Sequence, residues 1–226
     1  MPLQNRVAPN GVIFADPARG RLMGNRGGQM HDGERRLAGR RWVSRAWIAC
    51  TLQYKNRHEV IMAPGHYTQL FFLDEATALA AGHRPCALCR RQDFLRFCDS
   101  WQRAFGLARR PFAPEVDAVL HAERLPVGER RVLTIARIGE LPDGAIFWGL
   151  ARISLSPVLS GERGAPRLVV GGTTQAWTPS GYLAPEPIDP ATEGSVLTPP
   201  SIIAIMCAGY APMLDPSARV ISRARS

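Results

Sequence analysis

A chain of 226 residues with 46% apolar content can bury a real core as one large domain or two small ones. Its formal net charge is +9, and Lys55 is the only lysine, so arginine carries nearly all of the positive charge. No run of about 18 apolar residues marks a membrane span, residues 1–10 lack the order of a signal peptide, and five irregularly spaced cysteines make no disulfide framework, so a reducing cytoplasm is the expected location.

Arginine's planar fork suits phosphates and base edges better than an ammonium does. Genome composition can explain arginine in place of lysine, but not the excess of cations over carboxylates. A nucleic-acid partner is therefore expected.

Residues 1–41 are rich in Gly and Arg. A short strand is expected around Val12 to Phe14, and loop elsewhere, with Gly24, Gly27 and Gly28 permitting tight backbone paths. Arg35, Arg36, Arg40 and Arg41 form a basic cluster that reads equally as a solvated loop or a phosphate-contacting surface. His31 lies in this Gly-flanked segment. Residues 46–62 read as a hairpin: a strand AWIACTLQY, a turn at Lys55-Asn56-Arg57, and a return HEVIM. In the first strand Ile48, Cys50, Leu52 and Tyr54 share one face.

The most informative stretch runs from Tyr67 to Arg91. Leu70 to Leu73 is an apolar strand. Asp74 is an N-cap type opening an Ala-rich helix, and Gly82 is suited to stop that helix in the left-handed conformation. Arg84-Pro85 then makes an extended approach to Cys86 and Cys89. A CxxC alone fits half a zinc site, a redox pair or two structural thiols. The run FFLDEATALAAGHRPCALCRR resembles the end of the Ada-type zinc-binding domain of bacterial DNA methyl-damage repair regulators, over about a tenth of the chain.

That resemblance implies a zinc ion on Cys86 and Cys89, and Cys50, on the apolar strand read above, is the candidate third thiolate. The family supplies a close Cys pair where this chain has Cys50 alone. A four-coordinate site then needs a histidine from among His31, His58, His66 and His83. His31 is the preferred fourth ligand and His66 the alternative. The missing second cysteine argues against methyl transfer at Cys50, since closed Cys₃His sites are usually structural. The resemblance also implies a DNA-binding protein of repair or processing. The arginines of the Gly-rich segment and those beside the CxxC, namely Arg26, Arg35, Arg36, Arg40, Arg41, Arg84, Arg90 and Arg91, are the residues expected to contact phosphates.

Residues 87–105 show Phe94, Phe97, Cys98, Trp101 and Phe105 at helical spacing, a stripe read as core. Residues 114–125 form a second helix. Asp117, His121 and Glu123 on it are weak candidates for a catalytic phosphodiester site, and an exposed helix with a local Asp117–His121 contact is the plainer reading. After residue 130, RVLTIARI, AIFWGLARISL, RLVVGG and TQAWT are strands separated by turn chemistry. Trp148, Trp177 and Tyr182 read as core before binding face. Thr198 is the expected N-cap of a helix from Ser201 to Ala208, in which Cys207 reads as core.

The expected fold is α+β: a zinc-stabilised module (1–110), a linking helix (111–125), and a β-rich meander or barrel ending in a helix (126–226). The expected function is zinc-containing nucleic-acid binding. A metal-dependent nuclease-like enzyme and a zinc-stabilised protein-interaction module are the alternatives.

Overall fold

The computed structural model describes residues 1–55, 60–124, 133–149 and 164–219. Strands and helices both contribute, and the fold is α+β. The first sheet is built from β1 (Gln4–Val7), β2 (Ile13–Ala15), β3 (Leu22–Asn25), β4 (Ile48–Cys50), β5 (Leu70–Phe72) and β6 (Arg84–Pro85), in the order β2-β1-β5-β3-β4-β6. The second contains β7 (Thr134–Arg137), β8 (Ile146–Trp148), β9 (Pro166–Val170), β10 (Thr173–Thr178), β11 (Gly181–Pro187) and β12 (Glu193–Val196), in the order β11-β10-β9-β8-β12-β7. Four of its strands form the expected meander, and the described strands make an open sheet with no closed barrel.

Among the described residues four helices accompany the sheets: α1 (Glu75–Ala80), α2 (Arg91–Phe105), α3 (Ala113–Arg124) and α4 (Pro200–Cys207). Asp74 caps α1, accepting from the Thr77 amide at 2.9 Å and the Thr77 hydroxyl at 2.8 Å. Gly82 follows α1 at φ +82°, and a Cβ there would sit 2.7 Å from Arg124 Cδ, so both the turn and the close approach call for glycine. Glycine at position 24 has a similar reason, because a Cβ would lie 2.1 Å from the Ile48 carbonyl oxygen on the neighbouring strand.

The expected hairpin of residues 46–62 is not the pairing adopted. β4 stops at Cys50 and lies antiparallel to β3, with Met23 opposite Cys50, and parallel to β6. Residues 60–62 form a turn, and residues 56–59, the centre of the expected hairpin, lie outside the described residues. The Gly-rich start is correspondingly more ordered than its composition suggests, since β1 and β3 both come from it. At α4, Pro199 holds the cap position, while Thr198 Oγ1 accepts from the Ile146 amide at 2.9 Å. Cys207 is exposed, not core; Cys98 is buried as expected.

The segments before and after the linking helix share two hydrophobic clusters. Ala8, Leu73, Ala76 and Ala80 pack with Ile146, Leu168, Val170, Trp177 and Tyr182. Leu79, Phe97, Trp101, Val116 and Leu120 pack with Ile202, Ile205, Met206 and Tyr210. Buried polar contacts reinforce the join: Tyr182 Oη donates to Asp74 Oδ2 at 2.9 Å, and Tyr210 Oη donates to Glu75 Oε1 at 2.7 Å. A buried polar group so satisfied costs little, whereas loss of its partner is expensive.

Candidate metal centre

Two short strands bring three thiols together. Along β4 and β6, Ile48 lies beside Arg84 and Ala49 beside Pro85, and the Cys86 amide donates to the Ala49 carbonyl at 2.9 Å. One residue further on, Cys50 and Cys86 meet, and the turn through Ala87 and Leu88 brings Cys89 to them. The three sulfurs lie within 4.8 Å of one another. Cys50 and Cys86 are buried and Cys89 partly so, while Leu88 between them is 67% exposed. The centre sits just beneath the surface.

The electrostatics suit a cation. Hydrogen bonds from the Cys50 and Cys89 thiols pull the Cys86 thiol well down against its burial, with the Cys89 and Leu88 amides adding to them. The Leu88 amide lies 3.4 Å from Cys86 Sγ. Cys50 is pushed far up, first by its hydrogen bonds to Cys86 and Cys89 and then by burial. Three thiols at this spacing cannot all ionise alone; a bound cation lets all three become thiolates. A tetrahedral ion with metal–sulfur bonds of about 2.3 Å sets its sulfurs roughly 3.8 Å apart, so small rotamer changes close this cluster on a metal.

Buried ion pairs fix the loop that carries Cys86 and Cys89. Before it, Arg84 grips Asp117 on α3 with two bonds, Nε to Oδ1 at 2.9 Å and Nη2 to Oδ2 at 2.8 Å. After it, Arg90 reaches Glu75 on α1 and Asp93 on α2, each at 2.8 Å. These two arginines, expected to contact phosphates, are buried and committed to carboxylates. Arg26 is also withdrawn. It is 1% exposed, donates to His83 Nε2, the Gly11 carbonyl and the Arg41 carbonyl, and stacks 3.9 Å from the centre of the Trp47 ring. Arg35, Arg36, Arg40, Arg41 and Arg91 are exposed.

The structure does not bring His31 to the thiols. Its Nδ1 lies 2.7 Å from Thr68 Oγ1 and its Nε2 3.2 Å from the Ala63 carbonyl. Because that carbonyl can only accept, Nε2 carries the proton, and Nδ1 accepts from the Thr68 hydroxyl. Both nitrogens are occupied. His66 is exposed and outside the cluster, and His83 is buried against Trp47 and Phe72. His58 lies outside the described residues. Among the described residues, the group able to hold a metal is the three cysteines.

Nor do the helix candidates converge. Asp117 is held by Arg84, and Glu123 accepts from the Ser201 amide and hydroxyl at the start of α4. His121 packs edge-on against Trp42, ring centres 4.8 Å apart, with Arg124 Nη2 3.2 Å from its Nδ1. The helix is not the exposed one expected, since Val116, Asp117, Leu120 and Arg124 are buried, and Asp117 and His121 each use a different partner in place of the contact expected between them.

Sequence reasoning missed a stack of buried cations. Arg26 and Arg124 each place a guanidinium over the Trp47 ring, at 3.9 and 4.0 Å. Burial, then the fields of Arg124 and Arg41, lower the Arg26 pKa to about 9. No local pattern signals such a stack, since its members come from β3's end, the approach to β4 and the end of α3. Met23, the cross-strand neighbour of Cys50, was likewise hidden in a segment read as loop. The chain matches no protein-family model, no curated protein and no solved structure.

Proposed function

We propose that Cys50, Cys86 and Cys89 hold one zinc ion and that the protein binds nucleic acid, DNA in repair or processing, through exposed arginines. Zinc suits a thiolate set that lies just beneath the surface and is tied down on both sides. The ion supplies folding energy and fixed loop geometry. The residues that hold it are the three cysteines, and the Leu88 amide supports the Cys86 sulfur. Thiolate ligands call for a reducing compartment, which fits the cytoplasm. No helix among the described residues is long and apolar enough to cross a membrane.

The observation that carries the nucleic-acid part is one exposed segment. Arg35, Arg36, Arg40, Arg41 and Arg45 all face solvent, and among the described residues only Arg36 has a carboxylate partner, Glu34. With a net charge of +9, such a segment attracts a polyanion by counterion release, with affinity falling steeply as salt rises. The likeness of residues 67–91 to the Ada-type domain supports DNA as the polymer.

A protein-docking module is the second reading. One observation favours it: an apolar groove of about 460 Å³ lined by Trp101, Phe105, Leu107, Pro111 and Val119 on α2, α3 and the turn between them. Fluorescence anisotropy with labelled single- and double-stranded DNA across a salt series separates the two. Steeply salt-dependent binding supports the first reading. No binding at low salt, from protein shown to hold zinc, contradicts it and leaves the docking module.

A further inference from the structure

The loop of residues 40–45 is gripped from beneath. The Arg41 carbonyl accepts from Arg26 Nη1 and the Arg45 carbonyl from Arg124 Nη2. The Val43 and Ser44 amides donate to the Arg26 carbonyl at 2.9 and 3.2 Å, and Trp47 Nε1 donates to the Ser44 carbonyl at 3.1 Å. A loop with five backbone anchors presents its side chains in a set arrangement, so ordering it on a ligand costs little.

What it presents is positive and aromatic. Arg41 and Arg45 are exposed, Trp42 is 36% exposed, and Trp42 is braced edge-on by His121. Directly behind lie the buried guanidiniums of Arg26 and Arg124, which hold the loop by donating to the Arg41 and Arg45 carbonyls. Buried charge is less screened than exposed charge, and these two guanidiniums lie just beneath this face. His121 feels it: burial first, then Arg124 and Arg45, hold its pKa down, so it is an uncharged brace at neutral pH.

We propose that this face, Arg41, Trp42 and Arg45 against the end of α3, binds a single strand of nucleic acid, with a base stacked on Trp42 and the flanking phosphates on Arg41 and Arg45. The assignment rests on the nucleic-acid reading above and specifies its site and strand form. A duplex keeps its base faces covered, so an indole platform selects unpaired bases, and stacking is indifferent to sequence.

The test is anisotropy of the full-length, zinc-loaded protein with a labelled 12-mer of deoxythymidine and with a 12-base-pair duplex, each across a salt series. The single strand is expected to bind more tightly. Trp42→Ala is expected to weaken it about 5- to 100-fold with the salt slope unchanged, and Trp42→Phe to restore most of the loss. Arg41→Ala and Arg45→Ala are each expected to lower the salt slope by about 0.7, while Arg96→Ala, elsewhere on α2, leaves affinity unchanged. Thermal melting of each variant separates lost binding from lost folding. Salt-dependent binding that ignores Trp42→Ala, or that prefers the duplex, overturns this site while the broader nucleic-acid reading stands. Absence of binding at low salt overturns both.

Discussion

Arg90, the residue after Cys89, places its Nη2 2.8 Å from Glu75 Oε1 with both side chains buried. Glu75 Oε1 also accepts from Tyr210 Oη, and its Oε2 accepts from the Met213 amide at 2.9 Å. One carboxylate at the head of α1 thus ties the cysteine loop to the C-terminal segment. Removing one partner of such a pair strands a buried charge. Arg90→Ala is expected to cost about 3–5 kcal/mol, and Tyr210→Phe only about 1 kcal/mol, in urea unfolding of the metal-loaded protein. Equal effects would mean that the ion pair does not organise this junction.

The pair Arg84–Asp117 does the same on the other side of the cysteine loop. Asp117→Ala is expected to destabilise by about 3–5 kcal/mol, since Arg84 would remain buried without its counter-ion. His121→Ala, which removes a partly exposed ring, should cost no more than about 1 kcal/mol. A neutral Asp117→Ala substitution would return Asp117 to the pool of groups available for chemistry.

Metal should be needed for the first sheet's far edge. The protein is expected to carry one zinc per chain, lost in Cys50→Ser, Cys86→Ser and Cys89→Ser, with stability falling by several kcal/mol on chelation. Hydrogen exchange should quicken first at Ala49 to Cys50 and at Arg84 to Arg90. His31→Asn is expected to keep its zinc and to lose about 1–3 kcal/mol through the orphaned Thr68 and Ala63 groups. Loss of zinc in that variant would restore His31 as a ligand.

Acid should weaken the fold through His83. This ring is fully buried, and burial first, then Arg26 and Arg124, push its pKa well below 6.5. Its Nε2 accepts from Arg26 Nε at 3.3 Å, which requires the neutral ring. A lowered folded pKa means that only the unfolded chain takes the proton as pH drops below 6.5. The contribution is whole above that value and declines below it, by at most about 1.4 kcal/mol per pH unit. Urea midpoints at pH 7.5, 6.5 and 5.5 should fall more steeply for the native protein than for His83→Gln. Matching slopes would contradict the assignment.

Local signals were legible and distant ones were not. Asp74, the Ala-rich run and Gly82 announce α1 because capping and left-handed turns act within a few residues, and the structure has each of them in place. Cys86 and Cys89 could be read for similar reasons, as they lie in one turn, whereas Cys50 reaches them through the non-local pairing of β4 with β6. The fourth-ligand expectation failed on a contact 37 residues away, Thr68, that a spacing argument cannot see. Arg26, Arg84 and Arg90 looked like surface cations because composition does not tell a phosphate-seeking guanidinium from one buried on Asp117, Glu75 or Trp47. The hairpin expectation likewise yielded to non-local pairing, with β4 choosing β3 and β6.

X-ray absorption at the zinc edge tests the three thiolates most directly. Native protein is expected to show three sulfurs per zinc at about 2.3 Å, falling to two or to loss of the metal in Cys50→Ser. Fewer than three sulfurs in the native protein, or a count that Cys50→Ser leaves unchanged, would contradict the centre described for this fold.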